Sequence, residues 1–248
     1  MQPLLYADLV PWYHLLDPVA DHLDDATAYQ EAIEGASIPR PDTLLELGAG
    51  AGNNAFFFER RFRCTLTDLS EPMLGLSRAQ NPECEHLAGD MRTLRLSRMF
   101  DSVMVHDAVG YMATVEDLRA AAETAFMHTR PGGGAVFAPD YVRETFHEHS
   151  SLHSGEDAAR SLRCLEWAWD PDTADESYVV DYAFLLRDGA TMKAVHDRHA
   201  EGLFTRATWE GVPEGAGYHV ETMPRPFYDV ETGTIFVCSR PNGALNRQ

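Results

Sequence analysis

The sequence predicts an α/β protein: a doubly wound parallel sheet with an antiparallel β insertion after its fifth strand. Three observations predict it. Between residues 43 and 140, short apolar runs alternate with segments of helical spacing, the order that parallel strands and crossover helices require. The first run, "TLLELG", opens directly into a turn with glycine at positions 48, 50 and 52. Beyond Asp140 the texture changes to apolar and polar residues in alternation, broken by turns such as Asp188-Gly189, as in antiparallel strands.

Each element follows in order. Residues 1–36 carry Trp12, Leu15, Leu16, Val19, Leu23, Tyr29 and Ile33 at roughly helical spacing and read as two helices, which "SIPRPD" ends. "TLLELG" is strand one, "NNAFFFERRF" a helix and "CTLTDLS" strand two. "SEPMLGLSRAQ" is a helix with Ser70 at its N-cap and Pro72 in its first turn. "CEHLAGD" and "FDSVMVHDA" are strands three and four, "TVEDLRAAAETAFMHT" is a helix capped by Thr114, and "GGGAVFAPD" is strand five. Within 141–202, "SLRCLEWAWD", "SYVVDYAFLLRDG" and "ATMKAVHDRHAEGLF" form the inserted antiparallel layer. "YHVETMP" and "GTIFVCS" return to the main sheet, which makes it seven-stranded.

Composition narrows the function. The 248 residues carry a formal charge of -19, which argues against a nucleic-acid backbone as partner and suits a cationic or amine substrate; a solvated acidic surface is the plainer reading of the same charge. No N-terminal leader is expected, and no run nears the roughly 18 apolar residues of a membrane span, so a cytoplasmic protein without a membrane partner is expected. Cys64, Cys84, Cys164 and Cys238 are scattered without metal-type pairs, as in reduced cytosolic enzymes. Lys193 is the only lysine, and "GATMKAVHD" around it is no G-K-S/T, which excludes a P-loop. Gly189 stands four residues before it, which excludes the Tyr-x-x-x-Lys pair of short-chain dehydrogenases.

The glycine turn then has to be explained. In an open α/β sheet the ligand sits beyond the carboxyl ends of the strands, so the loop after strand one is where a nucleotide-like ligand belongs. A dinucleotide fingerprint reads G-x-G-x-x-G, but here the third glycine, Gly52, comes one place early and is followed by Asn53. Glu46, just before the glycines, opposes a pyrophosphate and favours a cationic ligand. Asp68 ends strand two, where a carboxylate can accept both ribose hydroxyls. Asp90 in "AGDMR" ends strand three, placed to accept from an adenine amine beside an apolar Met91. The implied ligand has an adenosine, a positive end and no phosphates.

These residues resemble the class I S-adenosylmethionine-dependent methyltransferases. "LLELGAGAG", "LTDLSEPML", "LAGDMR", "FDSVMVHDAVGYM" and "RPGGGAVFAPD" match that family's motifs in order over about residues 40–140. The resemblance implies a Rossmann-like methyltransferase fold with S-adenosyl-L-methionine as cofactor. It places Gly48 and Gly50 at the methionine portion, Asp68 at the ribose, and Asp90 and Met91 at the adenine, with Ala49, Leu69, Met73 and His106 also near the cofactor. Outside the core, the chain is similar to the N-methyltransferases that dimethylate amino sugars in antibiotic biosynthesis. "YADLVPWYHLL" is similar to their lid helix, with Tyr6 and Tyr13 at the positions that close over the cofactor, and the insertion is similar to their substrate roof. The resemblance therefore divides the chain into lid helices (1–36), cofactor-binding core (37–140), substrate roof (141–202) and C-terminal part of the core sheet (203–248). Tyr111 falls at a position occupied by His or Tyr near the acceptor amine, and "DRHAEGLF" resembles a roof strand carrying a histidine, here His199. An acidic residue that those enzymes place before the strand-five proline is Ala138 here, with Asp140 the nearest carboxylate; this departure bears on the sugar rather than on the reaction.

The expected partner is a small-molecule acceptor carrying an amine, with oxygen or carbon acceptors and a regulatory cofactor-binding protein as alternatives; association as a homodimer stays open. Neutral His199 is a candidate base, or a satisfied roof histidine. Tyr111 orients the acceptor, or packs over the sheet edge. Asp140, Tyr141 and Trp167 are candidate substrate contacts, Trp167 and Trp169 being alternatively aromatic core of the insertion. "FHEHSSLH" brings His147, His149 and His153 close together, but the spacing is unspecific and a solvated lid fits better than a metal site.

Overall fold

A computed structural model describes residues 3–225 and 233–242, so the expected C-terminal unit 203–248 is described only in part. The N-terminal segment runs through short 3₁₀ turns into α1 (Tyr13–Leu16) and α2 (Leu23–Ala36). The core alternates β1 (Thr43–Leu47), α3 (Ala55–Phe58), β2 (Arg63–Asp68), α4 (Glu71–Gln80), β3 (Glu85–Ala88), β4 (Phe100–His106), α5 (Val115–His128) and β5 (Thr129–Ala138). A second sheet follows, β6 (His149–Glu156), β7 (Arg160–Trp169), β8 (Ser177–Asp188) and β9 (Thr191–Gly202), then α6 (Arg206–Ala216), β10 (His219–Pro224) and β11 (Thr234–Ser239).

The main sheet has seven strands in the order β10-β11-β5-β4-β1-β2-β3. β1 pairs in parallel with both β2 and β4, so the order reverses there and a crevice opens at the carboxyl ends. β11 runs antiparallel to β5 and β10. β1 is buried on both faces after its first residue, which is why it reads as a continuous apolar run. Capping follows the sequence: Ser70 and Thr114 side chains accept from Met73 N and Asp117 N at the starts of α4 and α5. One core layer packs α5 and α6 on the sheet through Leu118, Trp209 and Phe236; the other packs α2 and α3 through Tyr29, Ile33 and Phe58.

Three elements differ from the expectation. The helix expected from Asn53 to Phe62 shrinks to α3, because buried Phe58 and Phe62 both anchor in the core and the chain tightens so that Arg61 N and Phe62 N donate to Phe58 O. β6 replaces the expected solvated lid. Its one large apolar residue, Leu152, is 84% exposed, so no buried alternation marks the strand, yet it pairs with β7 from His149↔Ala168 to Glu156↔Ser161. α6 carries Gly211, Pro213 and Gly215, weak helix formers that hide it in the sequence although Trp209 is fully buried.

The roof sheet, ordered β6-β7-β8-β9, packs its inner face on the N-terminal segment through Leu162, Cys164, Phe184 and Leu186 against Leu5, Leu9 and Leu15. Gly155 is where backbones meet: a Cβ there would lie 2.0 Å from Leu15 O. Gly155→Ala is therefore expected to cost about 1–3 kcal/mol, read as a lower Tm with earlier proteolysis in the N-terminal segment; an unchanged Tm would show that this contact yields freely. All four cysteines are unpaired. Among the described residues no helix is long and apolar enough to cross a membrane.

Candidate active site

A cavity of about 750 Å³ opens beyond the carboxyl ends of β1 to β5, closed above by the roof and at the side by Tyr6 and Tyr13. That volume lies within the roughly 300–1,000 Å³ of small-molecule sites. A depression of about 870 Å³ on the roof around Leu152, Leu165 and Leu185 has neither the glycine turn nor the carboxylates.

The glycine turn forms one end of the cavity. Gly48 N and Ala49 N both donate to Thr67 O, which fixes the loop to β2. Gly48 has φ 77°, and a Cβ there would stand 2.4 Å from Ala108 Cβ, so only glycine allows this approach. Asp68 accepts from Gly50 N at 2.8 Å through Oδ2 and from Ser70 N at 2.7 Å through Oδ1, so one carboxylate ties the glycine turn to α4 while facing the cavity. Gly52 packs on Ser77 of α4 and on Asn81 at its C-terminal cap, and Asn53, where a dinucleotide fingerprint has its spacer, donates to Asp17 in the N-terminal segment. The early third glycine thus serves packing, and the residue after it holds the lid.

Most expected cofactor residues, Tyr6, Tyr13, Gly48, Ala49, Gly50, Asp68, Leu69, Asp90, Met91 and His106, line this cavity. Two do not. Met73 is buried behind Gly50 against Val10 and Ala51 and supports the turn from below. Glu46 is fully buried beneath the loop, with Oε1 3.1 Å from His106 Nε2, so its charge faces the protein's own imidazole rather than an open ligand surface; Oε2 has no hydrogen-bond partner among the described residues. Burial alone would lower the His106 pKa, but Asp107 and Glu46 outweigh it and push it up to about 10. His106 is then an imidazolium, and Asn54, 2.9 Å from Nε2, meets it with its amide oxygen if the amide is turned. Arg92 holds both oxygens of Asp90 and lowers its pKa, so any amine donor competes with Arg92 for that carboxylate.

The other end of the cavity is built from carboxylates and phenols. Asp107 has φ 35° and lies 3.3 Å from His106 Nδ1 and 3.0 Å from Arg225 Nη1. Buried Arg225 also reaches Asp25 and Asp140. Asp140 and Tyr141 line the cavity as expected, and burial beside Asp107 raises the Asp140 pKa well above the carboxylate range. Tyr111 OH sits 2.6 Å from His199 Nδ1 and 2.9 Å from Tyr6 OH. His199 Nε2 lies 3.1 Å from Asp197 Oδ2, which also accepts from Leu5 N. Burial lowers the His199 pKa, so its single proton points at Asp197 and Nδ1 accepts from Tyr111.

Two placements are corrected. His199 is 1% exposed and does not line the cavity, so it reaches an acceptor only through Tyr111. Trp167 is on the outer face of β7, donating to Glu148, because strand alternation turns Glu166 inward instead; Trp169 shares that outer face, bonded to Asp181. Glu166, Tyr178, Tyr182 and Glu201 line the cavity and were not anticipated. A signal existed: Asp197, His199 and Glu201 are spaced two apart, so placing His199 on the inner face places the other two there. The histidine run disperses, His149 onto Tyr141 and His153 onto Glu166; among the described residues no three metal-ligating side chains converge.

A reversed-order parallel sheet with a glycine turn, a strand-two carboxylate holding that turn and a roofed cavity beyond it is the site of an S-adenosylmethionine-dependent methyltransferase. Residues 44–133 match the family model described as a methyltransferase domain. Over 188 residues the chain is 31% identical to the dTDP-3-amino-3,4,6-trideoxy-alpha-D-glucopyranose N,N-dimethyltransferase of Streptomyces venezuelae, covering 75% of this chain and 78% of that one. The crystal structure of Streptomyces venezuelae DesVI superposes with a TM-score of 0.82 at 26% identity, covering 95% and 98%. An S-adenosylmethionine-bound amino pentose methyltransferase from Micromonospora echinaspora superposes with a TM-score of 0.76 at 25% identity, covering 88% and 90%. The chain belongs to the S-adenosylmethionine-dependent methyltransferases, in the family that contains these sugar N-methyltransferases.

Proposed function

We propose that this enzyme methylates an amine of a small specialised metabolite, with an amino sugar as the acceptor class. The observation that carries the reading is the lining of the acceptor end, where Asp107, Asp140, Glu166 and Glu201 surround phenols. Arg92 is the one lysine or arginine among the described lining residues, and it lies at the adenine end, paired to Asp90 and Asp117. Such a lining attracts an ammonium group and disfavours an anionic acceptor. The relatives named above act on amino sugars by their names, which supports the same class.

Bound S-adenosylmethionine supplies an electrophilic methyl group. The protein's share is alignment and exclusion of water. Gly48, Ala49 and Gly50 let the backbone approach the methionine portion, Asp68 accepts the ribose hydroxyls, and Asp90 with Met91 frames the adenine. Tyr6 and Tyr13 cover the methionine end from the N-terminal segment. Tyr111, whose proton is held by His199, offers its oxygen lone pairs to an amine N–H; burial keeps the phenol well above its ordinary pKa, so it orients rather than deprotonates. The division into lid 1–36, core 37–140, roof 141–202 and C-terminal strands 203–248 is part of the same proposal. Calorimetric titration tests the cofactor end: micromolar binding of S-adenosylmethionine and none of NAD is expected, and binding of NAD alone would overturn the reading. Mass spectrometry of primary amino sugars incubated with enzyme and cofactor tests the acceptor end, where methylation of hydroxyls only would exclude the amine.

A further inference from the structure

We propose that Glu201 takes the proton from the acceptor's ammonium group, which frees the nitrogen lone pair for methyl transfer; this rests on the amine reading above. Glu201 lines the cavity from β9 yet is 5% exposed, in register with Tyr178 of β8, whose hydroxyl donates to Oε2 at 2.5 Å. Its carboxylate lies against the turn after β4: a Cβ on Gly110 would stand 2.9 Å from Oε2. It therefore sits beside Tyr111, the group that orients the acceptor.

The groups facing it set its basicity. Burial raises the Glu201 pKa most, the Tyr178 hydroxyl opposes it by donating to the carboxylate, and Asp107 after β4 and Glu166 of β7 raise it further, leaving it pushed up to about 7. An ordinary glutamate near 4.3 is about six units below an amine near 10.4, and the raised value closes nearly half of that gap. The rivals are less suited. His199 is off the cavity, Tyr111 and Tyr178 hold their protons far above neutral pH, and Glu166 is bonded to His153. In the step an N–H bond breaks and a Glu201 O–H bond forms. The released pair makes the N–CH₃ bond while the C–S pair stays on sulfur, so the positive charge passes from sulfonium to the methylated nitrogen. Glu201 then returns its proton to solvent.

The test pairs an infrared pH titration of the protein with the pH dependence of kcat for the methyl glycoside of a primary amino sugar. A protonated-carboxyl band titrating near pH 7 is expected in the wild type and not in Glu201→Gln. Glu201→Gln should lose about 100-fold in kcat at pH 7, recovering toward wild type at high pH where the amine arrives neutral. Tyr178→Phe should move the acid limb to higher pH, because its hydroxyl stabilises the carboxylate, a displacement that a merely structural residue would not produce. Glu201→Gln with the wild-type acid limb, or a wild type without the titrating band, would overturn the proposal. Cofactor binding without methylation of any amine would instead sink the amine reading itself.

Discussion

Asp68→Ala weakens S-adenosylmethionine binding by about 2–3 kcal/mol, roughly 30- to 150-fold in Kd. The carboxylate has two duties. Its oxygens hold Gly50 N and Ser70 N, which ties the glycine turn to α4, and the carboxylate lines the cavity, where on the proposed reading it accepts from the ribose hydroxyls. Alanine removes both, so the loss should exceed that of one hydrogen bond. Burial raises the Asp68 pKa against the backbone donors of Ser70 and Gly50. The sign follows: the ionised form binds, so affinity should fall on acidification starting above the pH at which an ordinary aspartate protonates, and in Asp68→Ala this limb should vanish. Calorimetry on the two proteins from pH 7 downward measures both effects, and an unchanged Kd would remove Asp68 from the cofactor site.

The core was legible because its chemistry is local. A parallel strand buried on both faces needs a continuous apolar run, a turn held at positive φ needs glycine, and a helix start needs Ser70 or Thr114, so each leaves a mark within a few residues. The acceptor end was less legible because it is assembled across the chain. Glu201 meets Tyr178 and Gly110, Asp107 meets Arg225, and Asp197 meets Leu5, all separations that no local spacing records. Trp167 shows the other limit: alternation marks two faces of a strand but not which faces the cavity, and a tryptophan was a poor guide when its neighbour Glu166 was the inward residue. Glu46 was read as a ligand contact from its place before the glycines. His106 is sixty residues on, and its pairing with Glu46 appears only when β4 lies beside β1.

Tyr111→Phe and His199→Ala each lower kcat by roughly 10- to 100-fold and leave the cofactor Kd within about two-fold. The reason lies in the direction of the hydrogen bonds. Asp197 fixes the proton of His199 on Nε2, Nδ1 therefore accepts from Tyr111, and the phenol oxygen is left with its lone pairs for Tyr6 OH and for an acceptor N–H. Without His199 the phenol is free to rotate and donate, which presents a proton to the amine instead of a lone pair. Without the phenol hydroxyl, His199 stays buried and has no path to the acceptor. The two losses therefore pass through one oxygen, and Tyr111→Phe/His199→Ala should be no slower than either single variant, a coupling that a double-mutant cycle measures directly. Additive losses would mean that His199 acts on the acceptor by a separate route, and a fully active His199→Ala would leave it a roof residue whose contact is Asp197. Because Asp197 also holds Leu5 N, Asp197→Asn extends the cycle: a loss matching His199→Ala places the carboxylate in the relay, whereas a rise in cofactor Kd assigns it to closure of the N-terminal segment.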